Sequence, residues 1–154
     1  MKRQISLFLF TLLTSIVAIA QGYSSDLLKR AQNGEVYAQF YLGYCYEIGR
    51  GVNQDYAKAA EWYSKAAEQG DANGQNSLGD MYYNGHGVKK SYTEAIKWFR
   101  KAAEQGDAYG QYSLGYMYEN AEGIYKDISK AREWYKKAAE QGHQGAIDAL
   151  KGLN

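Results

Sequence analysis

The string Lys65-Ala66-Ala67-Glu68-Gln69-Gly70 returns as Lys101-Ala102-Ala103-Glu104-Gln105-Gly106 and again as Lys137-Ala138-Ala139-Glu140-Gln141-Gly142, each time after 36 residues. Asn33-Gly34 closes an earlier, degenerate copy in the same phase. Working outward, Leu-Gly recurs at Leu42-Gly43, Leu78-Gly79 and Leu114-Gly115, and tryptophan at Trp62, Trp98 and Trp134. Residues 71–106 and 107–142 share 20 identities over 36 positions without a gap. Agreement of that length in one register is duplication, and the period decides the architecture.

Each unit reads as two helices. In the unit 71–106, Asp71 can cap a helix running through Leu78 and Tyr82. Gly85-His86-Gly87 then breaks it, because glycine takes the positive φ angles of a tight turn at little cost. A second helix runs from about Tyr92 to Gln105, with Ala95, Trp98, Phe99 and Ala102 at helical spacing. Gly106 is suited to end it in a left-handed conformation. No proline interrupts these segments, since the chain has none.

Helix pairs at a fixed period cannot bury their apolar stripes alone, so they stack into a solenoid around a continuous core. The expected fold is all-α: an α/α superhelix of three 36-residue helix-turn-helix repeats with short capping helices. The expected organisation is 1–20 as a cleavable signal peptide, 21–34 as an N-terminal cap, repeats at 35–70, 71–106 and 107–142, and 143–154 as a C-terminal cap. Gly43, Gly79 and Gly115 sit mid-helix, where glycine costs about 1 kcal/mol relative to alanine. Such a cost is tolerable where a neighbouring helix comes close.

These residues resemble the Sel1-like repeat family, relatives of the tetratricopeptide repeats. The resemblance rests on Ala38, Leu42-Gly43, Tyr46, Gly49-Arg50-Gly51-Val52, Asp55, Ala59, Trp62-Tyr63 and the Lys-Ala-Ala-Glu-Gln-Gly string, in a frame that recurs twice more. A tetratricopeptide array has a period of about 34 and usually a closing proline. The resemblance implies a right-handed superhelix that serves as a scaffold for protein contacts. The third unit departs from the pattern at Ala121-Glu122-Gly123-Ile124, where a looser turn is expected.

The first twenty residues have a composition of their own. Lys2 and Arg3 precede Ile5 to Ala20, an uncharged run of 16 residues that ends in the small-x-small pattern Ala18-Ile19-Ala20. That arrangement reads as a cleavable export signal with Gln21 as the first mature residue. The run is short of the ~20 residues that span a bilayer, so no stable membrane insertion is expected after cleavage. The expected location is periplasmic or secreted.

The full chain of 154 residues has 18 Lys+Arg against 17 Asp+Glu. Without Lys2 and Arg3 the balance is 16 against 17, which gives no basic surface for nucleic acid. One cysteine and two histidines in unrelated repeat positions offer no metal site, and no cofactor is expected. Cys45 falls where the later units have Met81 and Met117, so it reads as a buried apolar residue. His86 shares its turn position with Arg50 and Glu122, which reads as a solvent-exposed site. The tryptophans read as packing between helices, and the pairs Glu61/Lys65 and Glu133/Lys137 as surface ion pairs.

The functional signal lies where the repeats disagree. Core positions must suit the same packing in every unit, whereas a ligand-facing surface is free to vary. On the first helices the varied positions are Tyr37, Phe40, Tyr44 and Glu47 in unit one. They are Asn73, Asn76, Asp80 and Tyr83 in unit two, and Tyr109, Tyr112, Tyr116 and Glu119 in unit three. Offsets of three, four and three put each set on one helical face. In the resembled family the first helices line the concave side, which makes this stripe the expected partner-binding surface: Tyr37, Phe40, Tyr44, Asn73, Asn76, Asp80, Tyr83, Tyr109, Tyr112 and Tyr116.

The expected function is an exported, non-enzymatic scaffold that binds a protein, as an extended segment or a surface loop, along this tyrosine-rich face. One alternative is an enzyme, because a cysteine-rich secreted branch of the family is associated with penicillin binding and β-lactamase activity. That branch carries a cysteine pair in each repeat, and this chain has neither those pairs nor a Ser-x-x-Lys motif. The other alternative is a cell-wall glycan binder that stacks sugars on the same tyrosines.

Overall fold

The computed structural model describes residues 25–153. The expected export signal and its cleavage point lie outside them. The first described helix, α1, covers residues 25–32. It is followed by α2 (Val36–Ile48), α3 (Tyr56–Glu68), α4 (Ala72–Asn84), α5 (Tyr92–Glu104), α6 (Ala108–Asn120), α7 (Ile128–Glu140) and α8 (Gln144–Gly152). Every described element is a helix, and the three pairs α2–α3, α4–α5 and α6–α7 are the three duplicated units.

The helix boundaries follow from capping chemistry. Asp71 and Asp107 accept backbone hydrogen bonds from Gly74 and Gly110, both at 2.6 Å, at the starts of α4 and α6. Asp55, Ser91 and Asp127 do the same for α3, α5 and α7. His143 stands where those units have aspartate and takes over the role, its Nδ1 accepting from the Ala146 amide at 3.2 Å. A side-chain acceptor at this position satisfies one of the helix's free N–H groups.

The third unit's turn is no looser than the others. Ala121 takes the left-handed conformation at φ 59°, beside 73° at Gly49 and 77° at Gly85, and closes its helix with the same bond to the carbonyl of the residue four back. The departure from glycine costs strain, about 1–2 kcal/mol for an L-residue, but leaves the path intact. In the second unit, Gly87 combines positive φ with close approach. A Cβ there would lie 2.1 Å from the Tyr56 carbonyl oxygen, so the turn is pressed onto the start of the previous unit's second helix.

From α2 to α8, helices that follow one another in the chain pack together. The contact stripes are built from alanine: Ala38, Ala59, Ala66, Ala95, Ala102, Ala131, Ala138 and Ala146 are fully buried. Between them sit larger residues in corresponding places, Leu42, Leu78 and Leu114 with Cys45, Met81 and Met117. The mid-helix glycines lie under aromatic rings. A Cβ at Gly43, Gly79 or Gly115 would be 2.6–2.8 Å from the ring of Tyr63, Phe99 or Tyr135. The expected close approach is therefore ring on backbone, within a unit.

A polar clasp joins successive units. The buried Gln75 donates from Nε2 to the Ala67 carbonyl at 3.1 Å, and its Oε1 accepts from Gln105 Nε2 at 2.7 Å. Gln39 with Gln69, and Gln111 with Gln141, repeat the arrangement. Each clasp ties the first helix of a unit to the end of the preceding helix and to the end of its own partner. Buried amides must be paired in this way to avoid a desolvation penalty.

Candidate functional site

The varied residues of α2, α4 and α6 differ in their surroundings. Tyr37 and Tyr109 are 64% exposed, Tyr44 is 37% exposed, and Asn73 is exposed too. Tyr37 stacks on Tyr41 at 6.0 Å, and Tyr44 packs against the same ring at 6.1 Å. Phe40 and Tyr112 are half-buried against Tyr63 and Tyr135, with ring centroids 5.7 and 5.6 Å apart. Tyr112 also stacks on His143 at 4.6 Å. One side of each of these two rings is therefore engaged by the core.

Asp80, Tyr83 and Tyr116 border a cavity of about 200 Å³ together with Tyr112, and Asn76, a turn before Asp80 on α4, is half-buried with Oδ1 unpaired. Phe99 and Met117 form apolar parts of its lining. The opening lies between α4 and α6, which also touch each other directly. Tyr83 meets Tyr116 edge-on at 6.3 Å and Tyr92 at 5.4 Å. Burial, then hydrogen bonding to Tyr116 and to the Glu122 carboxylate, raises the Tyr83 hydroxyl well above the usual phenol range. The ring contacts with Tyr92 and Tyr116 hold Tyr83 at the cavity wall.

Glu47 and Glu119 are engaged by neighbouring phenols. Tyr63 donates to Glu47 Oε2 at 2.6 Å, and Tyr135 to Glu119 Oε2 at 2.7 Å. Burial, with the hydrogen-bonded carboxylate second, pushes both phenols upward. The second unit has Phe99 and Tyr83 at the same two places, so acid and phenol are lost together. The one acid on α4 is Asp80, a turn earlier. Burial, and after it the charge of Glu47, raises its carboxyl to about 6.

Other singled-out residues resolve as packing. Cys45 is buried, and burial raises its thiol, with Arg50 pulling slightly the other way. Trp62 and Trp98 are buried and Trp134 is half-buried. Lys65, Lys101 and Lys137 lie over those three rings at 3.9, 4.3 and 4.1 Å. The expected pairs of Lys65 with Glu61 and Lys137 with Glu133 are thus replaced by cation–π contacts, because a ring one turn back offers the amine a fixed partner. Arg50 and His86 are exposed as expected, His86 stacking on Tyr56 at 4.7 Å. Glu122 is a correction: it is half-buried, with Oε2 inaccessible, because it reaches inward to Tyr83.

Sequence reading did not single out Phe99, Ser113 and Met117 as cavity residues, or the glutamine clasp. Gln39, Gln75 and Gln111 occupy one invariant polar position on otherwise apolar helix stripes, which is a legible sign of a buried hydrogen bond.

Helix pairs stacked at a 36-residue period, with one variable face on the first helices, define an α/α repeat scaffold. The Sel1 repeat model matches residues 36–71, 72–107 and 108–143, and the chain belongs to the Sel1 repeat family. Among solved structures it is similar to a protective antigen of uropathogenic Escherichia coli strains displaying an SLR fold, at 47% identity and a TM-score of 0.79. That alignment covers 80% of this chain and only 27% of the antigen. A Sel1 repeat protein from Oxalobacter formigenes is 41% identical, with a TM-score of 0.74, over 83% of this chain and 96% of that one. Helicobacter pylori cysteine rich protein B is 26% identical, with a TM-score of 0.67, over 88% and 97%. No curated protein matches the sequence. Sel1 repeat proteins are in general protein-interaction scaffolds and not enzymes. Among the described residues no helix is long and apolar enough to cross a membrane.

Proposed function

We propose that this chain is an exported, non-enzymatic module that binds a protein partner along the first-helix face, taking an extended segment or a surface loop. The observation that carries the reading is the exposure of Tyr37, Tyr44 and Tyr109 on the same face as the Asp80–Tyr116 cavity. Tyr37 and Tyr109 keep most of their surface free despite contacts with Tyr41 and His143, and tyrosine provides large contact area at low entropic cost. The direct approach of α4 to α6 suits inner helices on the concave side of a curved stack. The basic, then apolar, then small-residue leader supports export. Likeness to a protective antigen supports it as well.

The test is a pull-down from an envelope and secreted-protein extract. One bait is the parent protein, and the other carries Tyr37→Ala, Tyr44→Ala, Tyr109→Ala and Tyr116→Ala with helicity confirmed. A protein retained by the parent alone supports the reading. Equal retention by both baits removes the site from this face.

A further inference from the structure

Building on the first-helix face as a binding groove, we propose that the cavity between α4 and α6 receives the cationic side chain of a lysine or arginine from an extended partner segment, with Asp80 as its counter-ion. Shape sets the class of ligand. A cavity of about 200 Å³, open to the groove and walled by Tyr83, Tyr112, Tyr116 and Met117, holds one long side chain projecting from a chain that lies across it. The aromatic walls suit the aliphatic stem of such a side chain and attract its charge through their faces.

Asp80 sets the sign of the charge. In the outer units the first-helix carboxylates, Glu47 and Glu119, each accept a phenol hydrogen bond from the paired helix. The middle unit has Phe99 there, which borders the same cavity as Asp80 and has no hydroxyl to donate. Burial and the charge of Glu47 act on Asp80, both against ionisation, and no donor offsets them. The corresponding residues in the other units are Tyr44 and Tyr116, so the repeat architecture does not need a carboxylate at this position.

Two other acceptors near Asp80 and Tyr83 are left unpaired inside the protein. Among the described residues, the buried side-chain oxygens without a hydrogen-bond partner are Asn76 Oδ1 and Glu122 Oε2. Asn76 lies one turn before Asp80 on α4, and Glu122 is the acid that engages Tyr83 at the cavity wall. Both atoms are closed to solvent and lie behind the cavity's lining, so the carboxylate that meets a ligand there is Asp80.

The charge of the first helices is complementary to such a ligand, and the cation beside the cavity wall, Lys90, is engaged by the Tyr92 ring at 4.7 Å and the Tyr83 ring at 5.8 Å. The charged residues of α2, α4 and α6 are Glu47, Asp80 and Glu119, and these helices carry no lysine or arginine. The repeat helices' cations sit on α3, α5 and α7. An apolar side chain in the cavity would leave Asp80 buried without compensation, and an acidic one would meet both Asp80 and Glu47. A cation instead gains a carboxylate whose desolvation has already been met by folding.

The test uses isotope-labelled protein and four Gly-Ser decapeptides that differ only at the central residue: lysine, arginine, norleucine or glutamate. The lysine and arginine peptides should shift the Asp80 carboxyl resonance and the amides of Tyr83, Ser113 and Tyr116. They should bind about tenfold more tightly than the norleucine peptide, the factor expected of a charge-assisted hydrogen bond. Asp80→Asn should abolish that preference, and Lys136→Ala on α7 should keep it. Equal binding of lysine and norleucine peptides, a lysine preference that survives Asp80→Asn, or no saturable shift with any peptide would overturn the proposal. In the pull-down, a partner kept by Asp80→Asn but lost by the tyrosine variant removes the cation and leaves the groove. A partner kept by both removes the groove itself.

Discussion

Tyr63 and Glu47 are joined across the two helices of the first unit by a 2.6 Å hydrogen bond from phenol to carboxylate. The third unit has the same bond, and the second replaces both partners, with Phe99 and Tyr83. Tyr63→Phe alone should therefore leave the half-buried Glu47 carboxylate without its donor and cost about 1–3 kcal/mol in urea unfolding. Adding Glu47→Tyr recreates the middle unit's combination and should recover much of that loss. Strictly additive effects in this double-mutant cycle would show that the two positions are not coupled.

Gly79→Val tests the ring-on-backbone contact. A Cβ at Gly79 would stand 2.6 Å from two carbons of the Phe99 ring, which is itself buried. Overpacking of this kind costs about 1–3 kcal/mol, and a β-branched residue adds to it in a helix. The melting temperature should fall by several degrees. Phe99→Ala in the Gly79→Val background should be less damaging than in the parent, because the steric conflict has been removed.

Asp80→Asn should raise stability at neutral pH. The folded-state carboxyl titrates at about 6, above the roughly 3.9 of an unfolded chain. Ionisation of Asp80 therefore opposes folding. The penalty is absent below about pH 4, grows as the pH rises through the window up to 6, and is fully present above it. A shift of two units corresponds to an upper figure of about 3 kcal/mol. Denaturant unfolding at pH 8 should favour Asp80→Asn, and the advantage should shrink as the pH is lowered towards 4. A variant less stable than the parent at pH 8 would mean that the carboxylate has a structural partner.

Gln75→Leu should weaken the joint between the first two units. It removes the donation to the Ala67 carbonyl and strands the Gln105 amide that had donated to Gln75 Oε1. The expected cost is about 1–3 kcal/mol, most of it from the stranded group. Hydrogen exchange should rise at the end of α3 and the start of α4 more than in α7. Uniform exchange across all helices would show that the clasp carries no special share of the inter-unit contact.

The helix pairs, their 36-residue period, the caps at Asp71 and Asp107 and the glycine turns were legible in the chain alone. Each depends on residues within one turn or one unit of each other, and triplication displays the same local chemistry three times. The left-handed Ala121 and the amine-over-indole placement of Lys65 and Lys137 were not legible in this way. In both cases tertiary packing outweighs the local preference that a residue name conveys.

The variable face was visible as a pattern, but the pattern mixes two causes. Glu47, Tyr83 and Glu119 differ between units because Tyr63, Phe99 and Tyr135 differ opposite them, which is internal bookkeeping between helices. Asp80 differs with no such counterpart. Sequence by itself determined the repeat, the helices and the face on which they vary, because those follow from periodicity along one chain. Only the tertiary structure decided which of the varied side chains are satisfied within the protein, because hydrogen-bond partners and burial are set by neighbours on other helices, 16 residues away for Tyr63 and Glu47.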